Sequence, residues 1–173
     1  MKIAIIGSLG VGKTFLCNDL FNHFSQKGLK VEVMDEVARS CPLPLHENST
    51  EQAQLWIIMT QIKREIESQH KQPDLLICDR GVIDNYAYFL RKANGKTHLH
   101  SLVDEWTKTY DFIIKLPNTS QFLLDDGFRS TNIAFQIEME ERIANLLKER
   151  KVNFVELKQN EVKNFIELKL NGK

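Results

Sequence analysis

The sequence is short of the features that mark several classes of protein. It has three cysteines, Cys17, Cys41 and Cys78, an odd number with no Cys-x-x-Cys pair. Neither a disulfide framework nor a zinc site is expected, and a reducing compartment is. No apolar run approaches the length needed to cross a bilayer, and the apolar part of Met1–Gly7 is too short for a secretory signal. A cytoplasmic location with no membrane partner is therefore expected. There is no charge excess either, with 23 Lys and Arg against 23 Asp and Glu. The basic surplus that holds nucleic acid through its phosphates is missing, so no nucleic acid polymer is expected as a partner. Internal repeats, low-complexity tracts and Pro/Gly/Ser-rich linkers are absent as well. What remains is 173 residues, 42% hydrophobic and 27% charged. That is the make-up of one globular domain, residues 1–173, large enough to bury a core without staples.

Short apolar runs alternate with longer amphipathic ones. Ile3–Ile6, Val31–Met34, Leu75–Cys78, Phe112–Lys115 and Val152–Leu157 read as strands. Lys13–Lys27 reads as a helix with Leu16, Leu20 and Phe24 on one face, closed by Gly28. Thr50–His70 reads as a long helix whose apolar face is Leu55, Met59, Ile62 and Ile66, capped by Ser49 with Gln52 as capping-box partner. Asp84–Lys92, about Ser101–Thr109, Asn132–Glu149 and the tail from Asn160 read as further helices. In the third of these Ile133, Ile137, Ile143 and Leu147 form the apolar face. Continuous apolar strands separated by helices make an α/β fold with a parallel sheet covered on both faces. Ligands of such sheets bind beyond the carboxyl ends of the strands, here after Ile6, Met34, Cys78 and Lys115.

The first of those places holds Gly7-Ser8-Leu9-Gly10-Val11-Gly12-Lys13-Thr14, which satisfies G-x-x-x-x-G-K-[ST]. Glycines let such a loop wind its backbone N–H groups around an anion, and the helix that follows adds its positive end. Lys13 is expected to reach the β- and γ-phosphates of ATP, and the Thr14 hydroxyl to ligate Mg²⁺. The third apolar strand runs into Asp79-Arg80. A carboxylate there faces the metal in phosphate-loop enzymes, so Asp79 joins Thr14 as an expected ligand. Arg80, a planar bidentate donor, suits a phosphate-bearing substrate or an ion pair. After Phe112–Lys115 the chain reads Leu116-Pro117-Asn118-Thr119. No N/T-K-x-D guanine motif follows, which favours ATP over a guanine switch.

The loop, the strand-end Asp79-Arg80 and a late Arg-bearing segment resemble nucleoside and nucleotide kinases of the thymidylate-kinase-like group. Phe122–Ser130, with Asp125-Asp126-Gly127-Phe128-Arg129-Ser130, is similar to the D-D-G-x-R-S lid segment of the ribosylnicotinamide kinase domain in bifunctional NAD-biosynthesis regulators. Glu36-Val37-Ala38-Arg39 resembles the E-x-x-R element of that domain and of related small AAA-type ATP-binding proteins. Asp79-Arg80-Gly81 looks more like thymidylate and deoxynucleoside kinases. The resemblance spans nearly the whole chain. It implies a three-layer phosphate-loop fold with a five-stranded sheet in the order 2-3-1-4-5, and it favours Glu36 over Asp35 as the base.

Phosphoryl transfer needs alignment and cancellation of charge more than covalent chemistry from the protein. The expected enzyme is an ATP- and Mg²⁺-dependent kinase of a small nucleoside, nucleotide or related metabolite. ATP sits on Gly7–Thr14, and the phosphoryl acceptor between Asp35, Glu36, Arg39 and Arg80. A lid over residues 116–131 carries Arg129 as the charge-stabilising group. Gln54, Gln61, Lys63 and Arg64 are placed to reach the acceptor, Trp56 and Tyr86 read as core, and His98 and His100 as solvated. Arg142, among Glu138, Glu140 and Glu141, reads as an exposed ion pair. The rival expectation is a regulatory ATPase that switches a partner surface and has no small-molecule acceptor. Whether the chain forms a homodimer is open at this level.

Overall fold

Strands form where apolar residues run without a break, because both faces of those segments are covered. In a computed structural model, which describes residues 1–94, 97–118 and 132–172, β1 (Lys2–Ile6) and β3 (Leu75–Asp79) are buried along their whole length. They are flanked by β2 (Val31–Met34), β4 (Phe112–Lys115) and the short β5 (Val155–Glu156). All pairings are parallel and the order is β2-β3-β1-β4-β5. The helices are α1 (Lys13–Gln26), α2 (Glu51–His70), α3 (Val82–Lys92), α4 (His100–Thr107), α5 (Ile133–Glu149) and α6 (Gln159–Asn171). This is the three-layer arrangement and strand order expected.

Alternate strand residues point to opposite faces and so build two cores. Ala4, Ile6, Leu76 and Cys78 pack with Ile58 of α2, Tyr86 of α3, Val103 of α4 and Met139 of α5. Ile3, Ile5, Leu75 and Ile77 pack with Leu16, Leu20 and Phe24 of α1 and with Val162 and Ile166 of α6. The end of α1 follows from Gly28, which adopts φ +84°. There Leu29 N–H donates to the Phe24 carbonyl and Gly28 N–H to that of Ser25, closing the last turn. Among the described residues no helix is long and apolar enough to cross a membrane.

The structure corrects several boundaries. The cap of α2 is Thr50, whose hydroxyl accepts from Ala53 N–H at 3.2 Å; Ser49 instead accepts from Gln54 Nε2 at 2.6 Å. Helix α3 begins at Val82 rather than Asp84, because the Asp84 carboxylate accepts from Gly81 N–H at 2.7 Å and so sits inside the first turn. Asn132 is the cap of α5, accepting from Phe135 N–H at 3.1 Å, and Ile133 and Ile137 are exposed. Strand β5 is shorter than Val152–Leu157. Of the expected lid, residues 119–131 lie outside the described residues, and Arg129, Asp125 and Asp126 with them.

The largest correction concerns α2. Its sequence stripe is not its core face: Leu55, Met59 and Ile66 are 37%, 39% and 53% exposed. The buried residues are Ala53, Gln54, Ile57, Ile58, Gln61 and Glu65. Burial of three polar groups there is tolerated because each is bonded. Gln61 Nε2 donates to the Arg80 carbonyl at 3.0 Å and to Glu65 at 2.8 Å. Glu65 also accepts from Tyr110 Oη at 2.6 Å and Trp106 Nε1 at 2.7 Å, and pairs with Lys2 at 2.6 Å. Ile58→Ala is expected to cost about 2–5 kcal/mol of stability and Ile66→Ala less than about 1 kcal/mol, read by urea unfolding in dilute solution. Equal losses would contradict this assignment of faces.

Candidate active site

The chain leaves β1 at Ile6 and turns back over the carboxyl edge of the sheet in residues 7–12. Two of its glycines are required. At Gly7 (φ +140°) a Cβ would stand 3.2 Å from the Leu116 carbonyl oxygen, and at Gly12 (φ +83°) 2.2 Å from Gln159 Nε2. Gln136 Nε2 donates to the Leu9 carbonyl at 2.6 Å and Gln159 Nε2 to that of Val11 at 2.9 Å. Tying carbonyls back in this way suits a loop that presents N–H groups to an anion. Ser8 N–H already meets a carboxylate, Glu140 Oε2, at 3.3 Å. The loop is completed by Gly10 and the buried Val11.

Lys13 opens α1 and turns back beneath this loop. Its Nζ donates to the Gly7 carbonyl at 2.9 Å and to that of Ser8 at 2.6 Å. Burial, then the nearby Arg80, lowers its pKa to about 8. Thr14, one residue on, donates its hydroxyl to Asp79 Oδ2 at 2.6 Å. Asp79 is buried at the end of β3, and burial, then Glu36, pushes its carboxyl pKa up. Its Oδ1 is buried without a hydrogen-bond partner, as is Ser8 Oγ. A hydroxyl beside a carboxylate with one orphaned oxygen is a hard oxygen donor set of the kind Mg²⁺ takes, with water and phosphate oxygens filling the other positions. Residues Thr14 and Asp79 therefore fit that ion. Among the described residues no group of three or more His, Cys, Asp or Glu suits a metal of another kind.

Beside the loop, Arg80 is buried and holds a left-handed backbone, φ +85°, unusual for a residue with a side chain. The Gln61 bond to its carbonyl helps hold it there. Its Nε donates to Glu36 Oε1 at 2.7 Å and one terminal nitrogen to Asp84 Oδ2 at 3.2 Å. The guanidinium lies 5.1 Å from the centre of the Tyr88 ring. Arg39 reaches the other Glu36 oxygen at 3.5 Å. Of the acid pair after β2, Glu36 is buried in this cluster and Asp35 is exposed. Burial raises the Asp84 carboxyl to a pKa of about 6.

A cavity of about 30 Å³ lies between these groups, with Gln54, Asn85 and Tyr88 in its wall. Gln61 supports that wall from behind. Lys63 is exposed and pairs with Glu67, and Arg64 donates to Ser40 Oγ at 2.9 Å. Tyr86 belongs to the core, and His100, expected in solvent, meets its hydroxyl at 2.7 Å. Arg142 pairs with Glu138 at 2.8 Å, away from the cluster. Sequence reasoning missed Asp84, Asn85 and Tyr88. The available signal was a run of polar positions on a helix that starts directly after Asp79-Arg80.

The family described as AAA domain matches residues 2–164. No curated protein matches the chain. Among solved structures, deoxyadenosine kinase from M. mycoides with bound dCTP aligns over 100% of both chains, at 16% identity and a TM-score of 0.66. The same kinase with dCMP and dCDP gives 18% and 0.64, again over 100% of both chains. NadR protein in complex with NR aligns over 90% of this chain and 45% of its own, at 21% identity and a TM-score of 0.68. At these identities the likeness is one of fold.

A polyanion on the loop should select the ammonium form of Lys13. Since that group loses its proton near pH 8, binding above this pH must take a proton up. Affinity for inorganic tripolyphosphate is expected to carry a loss of about fivefold from pH 8 to 9 that Lys13→Met lacks, measured by calorimetry. Identical pH profiles for the two proteins would contradict the placement of Lys13.

Proposed function

The chain belongs to the AAA-domain family, and from that footing we propose that it is an ATP- and Mg²⁺-dependent kinase of a small nucleoside, nucleotide or related metabolite. One observation carries the reading: Lys13 of the loop and the Glu36–Arg80 pair line a single recess. A triphosphate on residues 7–14 would thus end beside a pocket walled by both acid and base. A regulatory ATPase has no use for that second pocket. An ATP-using enzyme with three free cysteines also suits the cytoplasm.

The roles follow from the geometry. Backbone groups of Gly7, Ser8, Leu9, Gly10, Val11 and Gly12 cradle the phosphates, and Lys13 swings from the Gly7 and Ser8 carbonyls to the β- and γ-oxygens. Thr14 and Asp79 hold Mg²⁺, which when bound neutralises charge on the phosphate oxygens. Glu36 accepts the hydrogen bond, and then the proton, of the acceptor hydroxyl. The hydroxyl oxygen forms the new bond to the γ-phosphorus, the bond to the β–γ bridging oxygen breaks, and ADP leaves. Because that transition state is loose, Glu36 has mainly to orient the hydroxyl. Arg80 holds Glu36 in place, and Arg39, with Asp35 at the rim, completes the acceptor side. Arg129, outside the described residues, is assigned to the lid that covers the transferring group.

The cavity of about 30 Å³ has room for little more than a water. An acceptor of nucleoside size must therefore push the wall formed by residues 37–48 outward as it binds. Stabilisation by acceptor and nucleotide together should then exceed the sum of each alone. In a thermal-shift screen of nucleosides and nucleoside monophosphates, one chemical class is expected to add stabilisation only with a non-hydrolysable ATP analogue present. Stabilisation by the analogue alone, with no compound adding to it, would favour the regulatory ATPase. Asp79→Asn supplies a second check. It removes a buried charge with an orphaned oxygen, so Tm should hold or rise, while turnover falls by at least about a hundredfold. Undiminished turnover would exclude Asp79 from the metal site.

A further inference from the structure

Two side chains of α5 reach the phosphate loop and act on it in opposite ways. Gln136 and Glu140 lie one helical turn apart, so they approach from the same side. Gln136 donates to the Leu9 carbonyl at 2.6 Å, a contact that suits a loop built to present N–H groups. Glu140 instead takes one of those N–H groups. Its Oε2 accepts from Ser8 N–H at 3.3 Å, so a carboxylate stands against a loop that is shaped for anions. Its Oε1 pairs with Lys115 Nζ at 2.6 Å, at the end of β4. The Glu140 side chain is only 18% exposed, so water screens its charge poorly. A polyphosphate arriving on the loop would meet a like charge a few ångströms away in a water-poor site, where repulsion is strong.

We propose that Glu140 is a built-in competitor for the phosphate site, whose carboxylate holds the Ser8 end of the loop until a polyphosphate displaces it toward Lys115. This deepens the reading of residues 7–14 as a phosphate cradle and rests on it. Lys115 makes the displacement feasible. It already holds one Glu140 oxygen, and its other partner, Glu156 at 3.1 Å, is half-exposed and can give way to water. The withdrawn carboxylate therefore keeps a cation beside it and is not left as an isolated buried charge. Lys13 is arranged in a matching way. Its ammonium lies on the Gly7 and Ser8 carbonyls and has to turn to meet a phosphate. Both charges nearest the loop are thus bonded to the loop's own backbone, and an incoming anion exchanges with them. The opposition from Glu140 grows with the charge that the ligand carries. It falls hardest on a bare polyphosphate and is milder for one whose charge Mg²⁺ already offsets.

Calorimetry of the full chain with inorganic tripolyphosphate, in EDTA and in Mg²⁺, tests this. Glu140→Gln keeps the size of the side chain and an oxygen for Ser8 N–H, and removes the charge. It should bind Mg²⁺-free tripolyphosphate about tenfold tighter than wild type, and the Mg²⁺ complex less than about threefold tighter, with Tm unchanged. Lys115→Met removes the counter-ion and should weaken binding about tenfold, and the double variant E140Q/K115M should return to within about threefold of wild type. Glu140→Gln binding no tighter than wild type overturns the proposal, because Glu140 is then only a support of the loop. An equal gain with and without Mg²⁺ overturns it too, since a change of loop shape would not depend on the charge of the ligand. So does a double variant as weak as Lys115→Met, because Lys115 would then act on the ligand directly. Wild type that binds no tripolyphosphate in either condition overturns the phosphate cradle itself, a result distinct from the other three.

Discussion

The carboxyl edge of this sheet answers to one electrostatic constraint. Lys13 and Arg80 are buried there with Glu36, Asp79 and Asp84, two cations and three carboxylates largely withdrawn from water. Burial lowers the pKa of Lys13 and raises those of Asp79 and Asp84, so each charge is less favoured there than in water. Such a cluster is expensive as pure structure. It makes sense where a further set of charges, a polyphosphate and a divalent ion, is to be received. The orphaned Asp79 oxygen fits that account.

Much of the surrounding fold serves to hold the cluster in place. Arg80 keeps a left-handed backbone, a strained state for a side-chain-bearing residue, and Gln61 of α2 bonds its carbonyl. Gln61 is in turn tied to Glu65, and Glu65 to Lys2, Tyr110 and Trp106. A chain of satisfied polar contacts thus runs beneath the sheet's cover from the start of β1 to the recess. Gln136 and Gln159 hold the phosphate loop from α5 and α6. The loop is therefore positioned by residues far from it in sequence.

That division explains what could be read from the chain alone. The loop was legible because its glycines, lysine and threonine act at fixed spacing between a strand and a helix. The strands were legible because continuous apolar runs need cover on both faces. Asp79 and Arg80 were found by their place at a strand end. What failed was the orientation of α2. Its apolar residues at helical spacing suggested a core face, but the buried side is the one carrying Gln54, Gln61 and Glu65. Hydrophobic periodicity assumes that polar groups stay in water, and it breaks down where a buried network satisfies them. Asp84, Asn85 and Tyr88 went unseen for a similar reason, since their role depends on Arg80 turning toward them.

The same helix carries a polar inner face that supports the pocket wall and an exposed apolar outer face. The central claim is that the loop and the recess act together on one phosphoryl group. Phosphorus NMR of the protein with Mg·ATP and a pool of nucleosides and nucleoside monophosphates tests it most directly. The account predicts ADP and a new phosphate ester, or nucleoside diphosphate, appearing in equal amounts. ATP consumed to inorganic phosphate alone, or not consumed, would contradict it.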